Sequence, residues 1–529
     1  MNADAPPIRS LQSGPVSPLV LEAPGAWRGL VIAGIFLLAI TPALPLLAEA
    51  LTSSGQAVMS GVFAAAVQGG LVIGVLAASV ALVLGVPTGV ALTLYDFPGR
   101  RALMVVLALP LLLPPFLIAL GWSMLAGGGL DGPAGPIVVF ASWILPLVAF
   151  ATYAGGAGLS ATAVEAARLA GGERGAIVLT ARHAFVPAMA AAGLGAALSI
   201  ADPGPGQVFR VQTAASEILA SFAALGDFGL AARQSVTVAA IILAAAGPLA
   251  FLVAPRIAEA LMARETRRVR RARMRGPRAA AGAAAAVMIM AALLTPMIGL
   301  VSPLAYSLVE GGDLRWLSRA FSELLRTGGD TLVYAAGAGF IAVLLGFALA
   351  VAVGRDAGRR RFAIAACLFL LCLPPALAAL GMIQLATAAP AWADPVLRSR
   401  FALCLTLGLR LFPVAALFGL RAQATSSPSW THAAAVHGVP LALFLKRVTA
   451  PHLAPAAAAA FLLAGLLAIA DIGTALLLHP PGAASFPLAI FTVMANAPEA
   501  FVAALALVYV AIAAMLLFAL WRLVGWKRA

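Results

Sequence analysis

Long apolar runs constrain this chain more than any other feature of its sequence. Stretches of roughly 20 residues, rich in Ala, Leu, Val, Ile and Phe, recur along most of its 529 residues. A helix of that length crosses the ~30 Å hydrocarbon core of a bilayer and satisfies its own backbone hydrogen bonds there. The residues are 62% apolar and only 10% charged, against roughly half and a quarter in soluble domains. We therefore predict an all-α membrane protein.

The runs predict about twelve transmembrane helices, which places both termini on one side of the membrane. The predicted spans are Leu30–Leu47, Val67–Leu94, Leu103–Leu125, Ile137–Ala157, Ala184–Ile200, Ser235–Val253, Ala280–Leu300, Leu332–Val353, Phe362–Leu385, Phe401–Leu420, Leu453–Ala470 and Phe501–Leu520. Most of the 34 Lys and Arg residues fall on the N-terminal side, and such residues mark cytoplasmic loops. We expect a multi-pass protein of the bacterial inner (plasma) membrane with both termini cytoplasmic.

The chain divides into two halves around a basic linker. The densest basic run, from Arg264 to Arg278, contains no aromatic residue for base stacking, so we expect it to contact anionic membrane lipid and not nucleic acid. The predicted units are a disordered N-terminal tail (1–26), a first half (27–255, core 64–253), the linker (256–279) and a second half (280–529, core 332–520).

The two sets of six spans repeat one another. Leu113–Gly121 reads LPPFLIALG and recurs at Leu373–Gly381 as LPPALAALG. Three shorter matches follow the same order: Gly-Arg-Arg triplets, Ala-Ala loop stretches and Ala-Asp pairs. Because each set has six spans, the sets share one orientation, and we predict two parallel six-helix repeats related by an axis along the membrane normal. A pathway on that axis is expected.

Each half carries a polar-edged helical stretch in a cytoplasmic loop before its fifth span. The two copies read Glu165-Ala166-Ala167 with Gly171, and His432-Ala433-Ala434 with Gly438. A glycine that joins two short helices can adopt positive φ, and small Ala side chains let such a helix enter a cleft of another protein. The pattern resembles the ATPase-coupling loop of type I ABC-importer permeases, and the resemblance covers both halves.

Both copies depart from the pattern of that family. The first keeps Glu165 but reaches its closing proline, Pro187, sixteen residues after Gly171 instead of thirteen. The second has the expected spacing to Pro451 but carries His432 in place of Glu.

The resemblance implies a permease with both halves fused, two copies of an ABC ATPase subunit as partners, and a periplasmic substrate-binding protein. The only lysines, Lys446 and Lys527, lie outside any phosphate-binding loop. We therefore expect this chain to be no enzyme and to hold no cofactor. Its three cysteines lie in apolar runs without metal-ligand spacing, so no metal site is expected.

Three ionisable residues are candidates for the pathway. Asp202 and Asp471 follow the fifth spans at matched positions in helix-breaking contexts, and acids at membrane depth mark transport pathways. The alternative is an ordinary helix-end acid that faces water. Arg410 lies inside a span and is either a pathway residue or an arginine that snorkels or pairs with a nearby carbonyl. No role is expected for His183 or His437.

The cargo is the least determined property. The segment Asp471-Ile-Gly-Thr looks like the Asp-Phe-Gly-Thr segment of ferric-iron importer permeases, which favours ferric iron over thiamine, polyamine or phosphonate. An ion-coupled secondary transporter, with Asp202 and Asp471 as ion ligands, is the alternative class. The paired loops favour the ABC permease, because a secondary transporter has no ATPase to contact.

Overall fold

The computed structural model describes residues 25–53, 58–59, 61–262, 271–274, 276–311 and 315–525. The first set of helices ends at Met262. In chain order its members are α1 (Gly25–Ile40), α2 (Ala43–Thr52), α3 (Gly61–Leu94), α4 (Arg100–Leu112), α5 (Pro115–Ala126), α6 (Ala134–Ala157), α7 (Ala161–Ile200), α8 (Gly204–Val208), α9 (Ala214–Ala223) and α10 (Phe228–Met262).

The second set begins at Gly276. Its members are α11 (Gly276–Gly311), α12 (Arg315–Val353), α13 (Ala357–Leu371), α14 (Pro375–Ala388), α15 (Asp394–Leu397), α16 (Arg400–Thr425), α17 (Pro428–Val436), α18 (Leu441–Phe444), α19 (Ala450–Ala470), α20 (Ile472–Leu478), α21 (Phe486–Val493) and α22 (Glu499–Gly525). A 3₁₀ turn (Ala391–Ala393) precedes α15, and a π-helical turn (Leu445–Thr449) precedes α19. Two short strands, β1 (Tyr95–Asp96) and β2 (Ala272–Arg273), pair in parallel.

In the described ranges, nine helices are long and apolar enough to cross a membrane, and three bent helix pairs raise the number to twelve. The chain is therefore an all-α protein with the helices of a multi-pass membrane protein. Nine predicted spans lie within the nine long helices. The predicted span Ala184–Ile200 is too short, because the helical segment of α7 that contains it begins directly after the non-helical residues Gly171 and Gly172.

Three predicted spans are wrong as continuous helices. Leu103–Leu125 is broken between α4 and α5 by a bend of 103°, Phe362–Leu385 between α13 and α14 by 85°, and Leu30–Leu47 between α1 and α2 by 54°. The breaks fall at prolines, at Pro114-Pro115 and Pro374-Pro375 in the first two pairs and at Pro42 in the third. Proline lacks the amide hydrogen of a helical bond and forces the residue before it out of the helical region. Leu113, before Pro114, accordingly has extended φ and ψ of −98° and 132°.

The two ends of the predicted linker 256–279 are helical, since α10 continues to Met262 and α11 starts at Gly276. Of the residues between these helices, 271–274 are described and contain β2. The predicted tail 1–26 lies outside the described residues, except that α1 starts at Gly25.

Equivalent helices of the two sets have equivalent neighbours. α3 packs against α6 and α7, and α12 packs against α16 and α19. The first helix of each set also contacts the other set. Phe36 of α1 packs edge-on against Phe362 and Phe412, with ring centroids 5.9 and 6.1 Å apart, while α11 packs along α4 and α5.

Glycines allow two of these crossings. A Cβ atom on Gly121 of α5 would clash with the carbonyl oxygen of Pro296 in α11, and one on Gly381 of α14 would clash with that of Pro42. The backbones therefore touch directly, as small residues permit between membrane helices.

We expect Gly381→Ala to destabilise the protein by about 1–3 kcal/mol, the cost typical of overpacking, because its Cβ has no space beside Pro42. Gly328→Ala is the matched control, since Gly328 is also helical and a Cβ added there would have no atom within 4 Å. The measurement is the midpoint of thermal unfolding in detergent. Equal midpoints for the two variants would contradict the close crossing.

Candidate functional site

The first coupling loop lies within α7, which is interrupted at two glycines. Glu165, Ala166 and Ala167 belong to the helical segment before the interruption. Gly171 has a φ of −137°, and Gly172 has a φ of 61° and a ψ of −157°. The prediction that Gly171 is the residue at positive φ is therefore wrong by one position, because the chain reverses at Gly172.

The second coupling loop is built from two separate helices. His432, Ala433 and Ala434 lie on α17, and Gly438, with a φ of 61°, separates α17 from α18. The Val439 amide closes the turn by donating to the Ala434 carbonyl at 2.9 Å. Each loop thus joins two helices at a glycine in the left-handed region that side chains disfavour.

Both loops expose a large apolar side chain near the turn. Leu169 is 90% exposed and Val436 is 83% exposed, and they stand two residues before Gly171 and Gly438, respectively. Sequence reasoning missed them, although their matched distance from the glycines was visible. The two loops therefore share an exposed apolar side chain at an equivalent place.

The surfaces next to the two turns differ. In the first loop, the two arms touch, because a Cβ on Gly175 would clash with the Ala167 carbonyl. In the second loop, a groove of about 410 Å³ opens between α17 and the segment formed by α18 and the π-helical turn, with Trp430, His437 and Phe444 in its walls. His437, for which no role was expected, therefore lines an apolar groove.

The two candidate pathway acids terminate helices in the same way. The Oδ1 atom of Asp202 accepts a hydrogen bond from the Gly204 amide at 2.7 Å, and that of Asp471 accepts one from the Thr474 amide at 2.9 Å. Each acid follows a long helix and precedes a short one, α8 or α20. Asp471 lies close enough to Asp202 for the two carboxylates to interact electrostatically.

Each of these turns packs closely against the start of the helix that follows the proline break in its own set. A Cβ on Gly204 would lie 2.8 Å from Cβ of Phe116, and one on Gly473 would lie 3.0 Å from Cβ of Pro375. Phe116 in turn packs edge-on against Phe491 of α21, with ring centroids 5.2 Å apart. The breaks after α4 and α19 border one apolar cluster, which contains Leu113 and Ile472. The breaks after α7 and α13 border a second cluster, which contains Ala201 and Cys372.

Arg410 joins three helices in this region. Its Nε donates to Oδ2 of Asp471 at 3.0 Å, and its Nη1 donates to the Leu373 carbonyl at 3.0 Å. The side chains of Arg410 and Asp471 are only 14% and 12% exposed. Arg410 thus contacts a candidate pathway acid as well as a backbone carbonyl.

Among its described residues, the first set has no such ion pair at the equivalent position. Trp143 and Arg410 each stand three residues before a helix proline, Pro146 or Pro413. The Nε1 atom of Trp143 is buried and has no hydrogen-bond partner in the described part of the chain. The two acids therefore occupy similar turns in different electrostatic surroundings.

No group of three or more His, Cys, Asp or Glu side chains able to hold a metal ion occurs in the ranges that the structure describes. Cys367, Cys372 and Cys404 are buried and free.

The chain matches no protein-family model, no curated protein and no solved structure. A function must therefore be inferred from the residues and geometry of this chain.

We expect Arg410→Met to destabilise the protein by about 3–5 kcal/mol, because it leaves the Asp471 carboxylate buried without its cation. The double variant Arg410→Met/Asp471→Asn should recover the part of that loss that comes from the stranded charge, while the Leu373 carbonyl still lacks its donor. The measurement is again the unfolding midpoint in detergent.

The matched control is Arg398→Met. Arg398 pairs with Asp394, and their side chains are 61% and 41% exposed, so the expected loss is about 0–1 kcal/mol. Equal losses at Arg398 and Arg410 would contradict a special role for the buried pair.

Proposed function

We propose that this chain is the transmembrane permease subunit of a binding-protein-dependent ABC importer and forms the translocation pathway. The observation that carries the proposal is the pair of loops, each a helix, a glycine at a φ of 61° and a second helix, each with an exposed apolar residue beside the turn. Such loops suit insertion into clefts of two ATPase subunits.

The type I layout with two parallel six-helix repeats is part of the proposal. It is supported by the equivalent packing of α3 with α6 and α7, and of α12 with α16 and α19. The exchange of first helices between the two sets gives further support, since Gly121 meets Pro296 just as Gly381 meets Pro42. The proposal places a single axis along the membrane normal between the two sets.

The mechanism follows from the positions of the loops and the breaks. ATP closes two ATPase subunits beneath the loops around Gly172 and Gly438, and the loops move with them. α7 continues without a further break from its loop to the turn at Asp202, and α19 ends at Asp471. Movement of each loop therefore reaches these two helix ends, where the gate of the pathway opens.

The cargo we propose is ferric iron, on the resemblance of the segment that starts at Asp471; thiamine, polyamine and phosphonate are the alternatives within this class. A periplasmic binding protein delivers the cargo, and the chain lies in the bacterial inner membrane with both termini cytoplasmic. An ion-coupled secondary transporter would use Asp202 and Asp471 as ion ligands. It is less well supported, because Arg410 already neutralises Asp471 and the exposed loops would have no partner.

Native mass spectrometry of the tagged chain, purified gently from its own membrane, tests the class of protein. We expect one chain with two ATPase copies, and we expect Leu169→Asp combined with Val436→Asp to remove both copies, because charge replaces the apolar contacts. Leu325→Asp is the control, since Leu325 is also 83% exposed but lies on α12, outside both coupling loops. A lone chain that moves solute on an ion gradient without ATP would establish the secondary transporter.

The glycine turns provide a test of coupling. We expect Gly438→Val and Gly172→Val each to abolish ATP-driven uptake of ferric iron while the protein still inserts, because a β-branched residue is a conformational outlier at positive φ. Gly328→Val in α12 should retain uptake, since that position is helical. Uptake and membrane abundance are measured together in cells. Normal uptake by both loop variants would remove the coupling assignment.

A further inference from the structure

The segment that joins the two sets of helices is attached to the connection between α3 and α4 of the first set. β2 pairs in parallel with β1, with Tyr95 opposite Ala272 and Asp96 opposite Arg273. The Met274 amide extends the ladder by donating to the Asp96 carbonyl at 3.1 Å. We call residues 271–274 the linker strap; α11 begins two residues after it.

Side chains fix the linker strap in addition to its backbone. The Nη2 atom of Arg271 donates to the Tyr153 hydroxyl of α6 at 3.2 Å. The partly buried Met274 belongs to the same apolar cluster as Phe97, and its sulfur lies 3.0 Å from the position that a Cβ of Gly282 would occupy. The strap therefore contacts both the first set and α11.

The strand that holds the linker strap also holds the first coupling loop. The Tyr95 hydroxyl donates to Oε2 of Glu173 at 2.7 Å, and Oε1 of Glu173 lies 3.2 Å from Nε of Arg168. Arg168 precedes the interruption at Gly171 and Gly172, and Glu173 follows it. Both arms of the loop are thus connected to the residue that pairs with the strap.

The Tyr95 hydroxyl can serve as a permanent donor in this network. Burial, with the hydrogen bond to Glu173, raises the pKa of Tyr95 to about 12. The phenol therefore stays protonated throughout the physiological pH range, and a charge-assisted bond of this kind is stronger than a neutral one.

The second set has a different arrangement at the equivalent place. Tyr95 and Arg355 each stand eighteen residues before a Leu-Pro-Pro sequence. Arg355 donates through Nη2 to the Ser426 carbonyl at 2.6 Å, and the described residues of the second set contain no strand. The attachment is therefore confined to the loop of the first set.

We propose that the linker strap ties the first coupling loop to α11, through Glu173, Tyr95 and the β1–β2 ladder, so that the connection between the halves transmits movement of that loop. Because α11 packs along α4 and α5 and against α22, a displacement of the loop reaches both sets of helices. The role in transport rests on the proposed function, whereas the tie itself is a property of this chain alone.

Limited trypsin digestion of the purified full chain tests the tie without ATP, cargo or partner. Trypsin cuts after Arg271 and Arg273 only when the strap leaves the first set, and fragment mapping reports those two cuts. We expect Tyr95→Phe and Glu173→Ala each to speed them by on the order of ten-fold, the effect of losing one hydrogen bond to a charged group. The double variant should be no faster than Glu173→Ala alone, because Glu173→Ala already removes the hydrogen bond that Tyr95→Phe removes, together with the ion pair to Arg168.

Glu165→Ala is the matched control, because Glu165 is an exposed acid in the same loop, and its cutting rate should equal that of the unmodified chain. Hydrogen exchange at the Met274 amide of the unmodified chain gives a second measurement that needs no variant, and we expect it to be slow. Unchanged cutting in the Tyr95 and Glu173 variants, or free-peptide exchange at Met274, would overturn the proposal. If the strap passes both tests but native mass spectrometry finds no ATPase subunit bound to the chain, the tie stands and only its role in an importer is removed.

Discussion

Every carbonyl released by a helix break at membrane depth must find a donor within the protein, because lipid offers none. The breaks at Pro114-Pro115 and Pro374-Pro375 meet this requirement through residues on other helices. The Leu373 carbonyl accepts from Arg410, and the Leu112 carbonyl accepts from the hydroxyl of Tyr509 on α22 at 3.4 Å. The breaks are therefore stable only where helices surround them, and this places them in the interior, next to Asp202 and Asp471.

The same requirement makes the two sets unequal. In the second set, one arginine satisfies a free carbonyl and neutralises an acid, so the helix ends at Leu373 and Asp471 are held as one unit. In the first set, Tyr509 satisfies the carbonyl and no described cation reaches Asp202. The helix ends at Asp202 and Asp471 therefore have similar turns and different electrostatic surroundings.

Hydropathy predicts the number and approximate bounds of the helices, because run length is a direct consequence of bilayer thickness. It could not predict the breaks from run length, although Pro114-Pro115 and Pro374-Pro375 carry a local signal that proline chemistry explains. The ion pair between Arg410 and Asp471 was not visible, since its partners lie on helices that meet only in the fold. Nor did anything in the basic composition of the linker indicate that Ala272 and Arg273 would extend a ladder with Tyr95 and Asp96.

The exchange of first helices has a consequence for how the molecule is held together. Phe36 of α1 is packed among residues of the second set, and α11 is packed along the first. Each set therefore packs its first helix against the other set. Separation of the two sets would first require α1 and α11 to leave these neighbours. Because one chain contains both sets, they are always made in equal number and adjoin one another during synthesis.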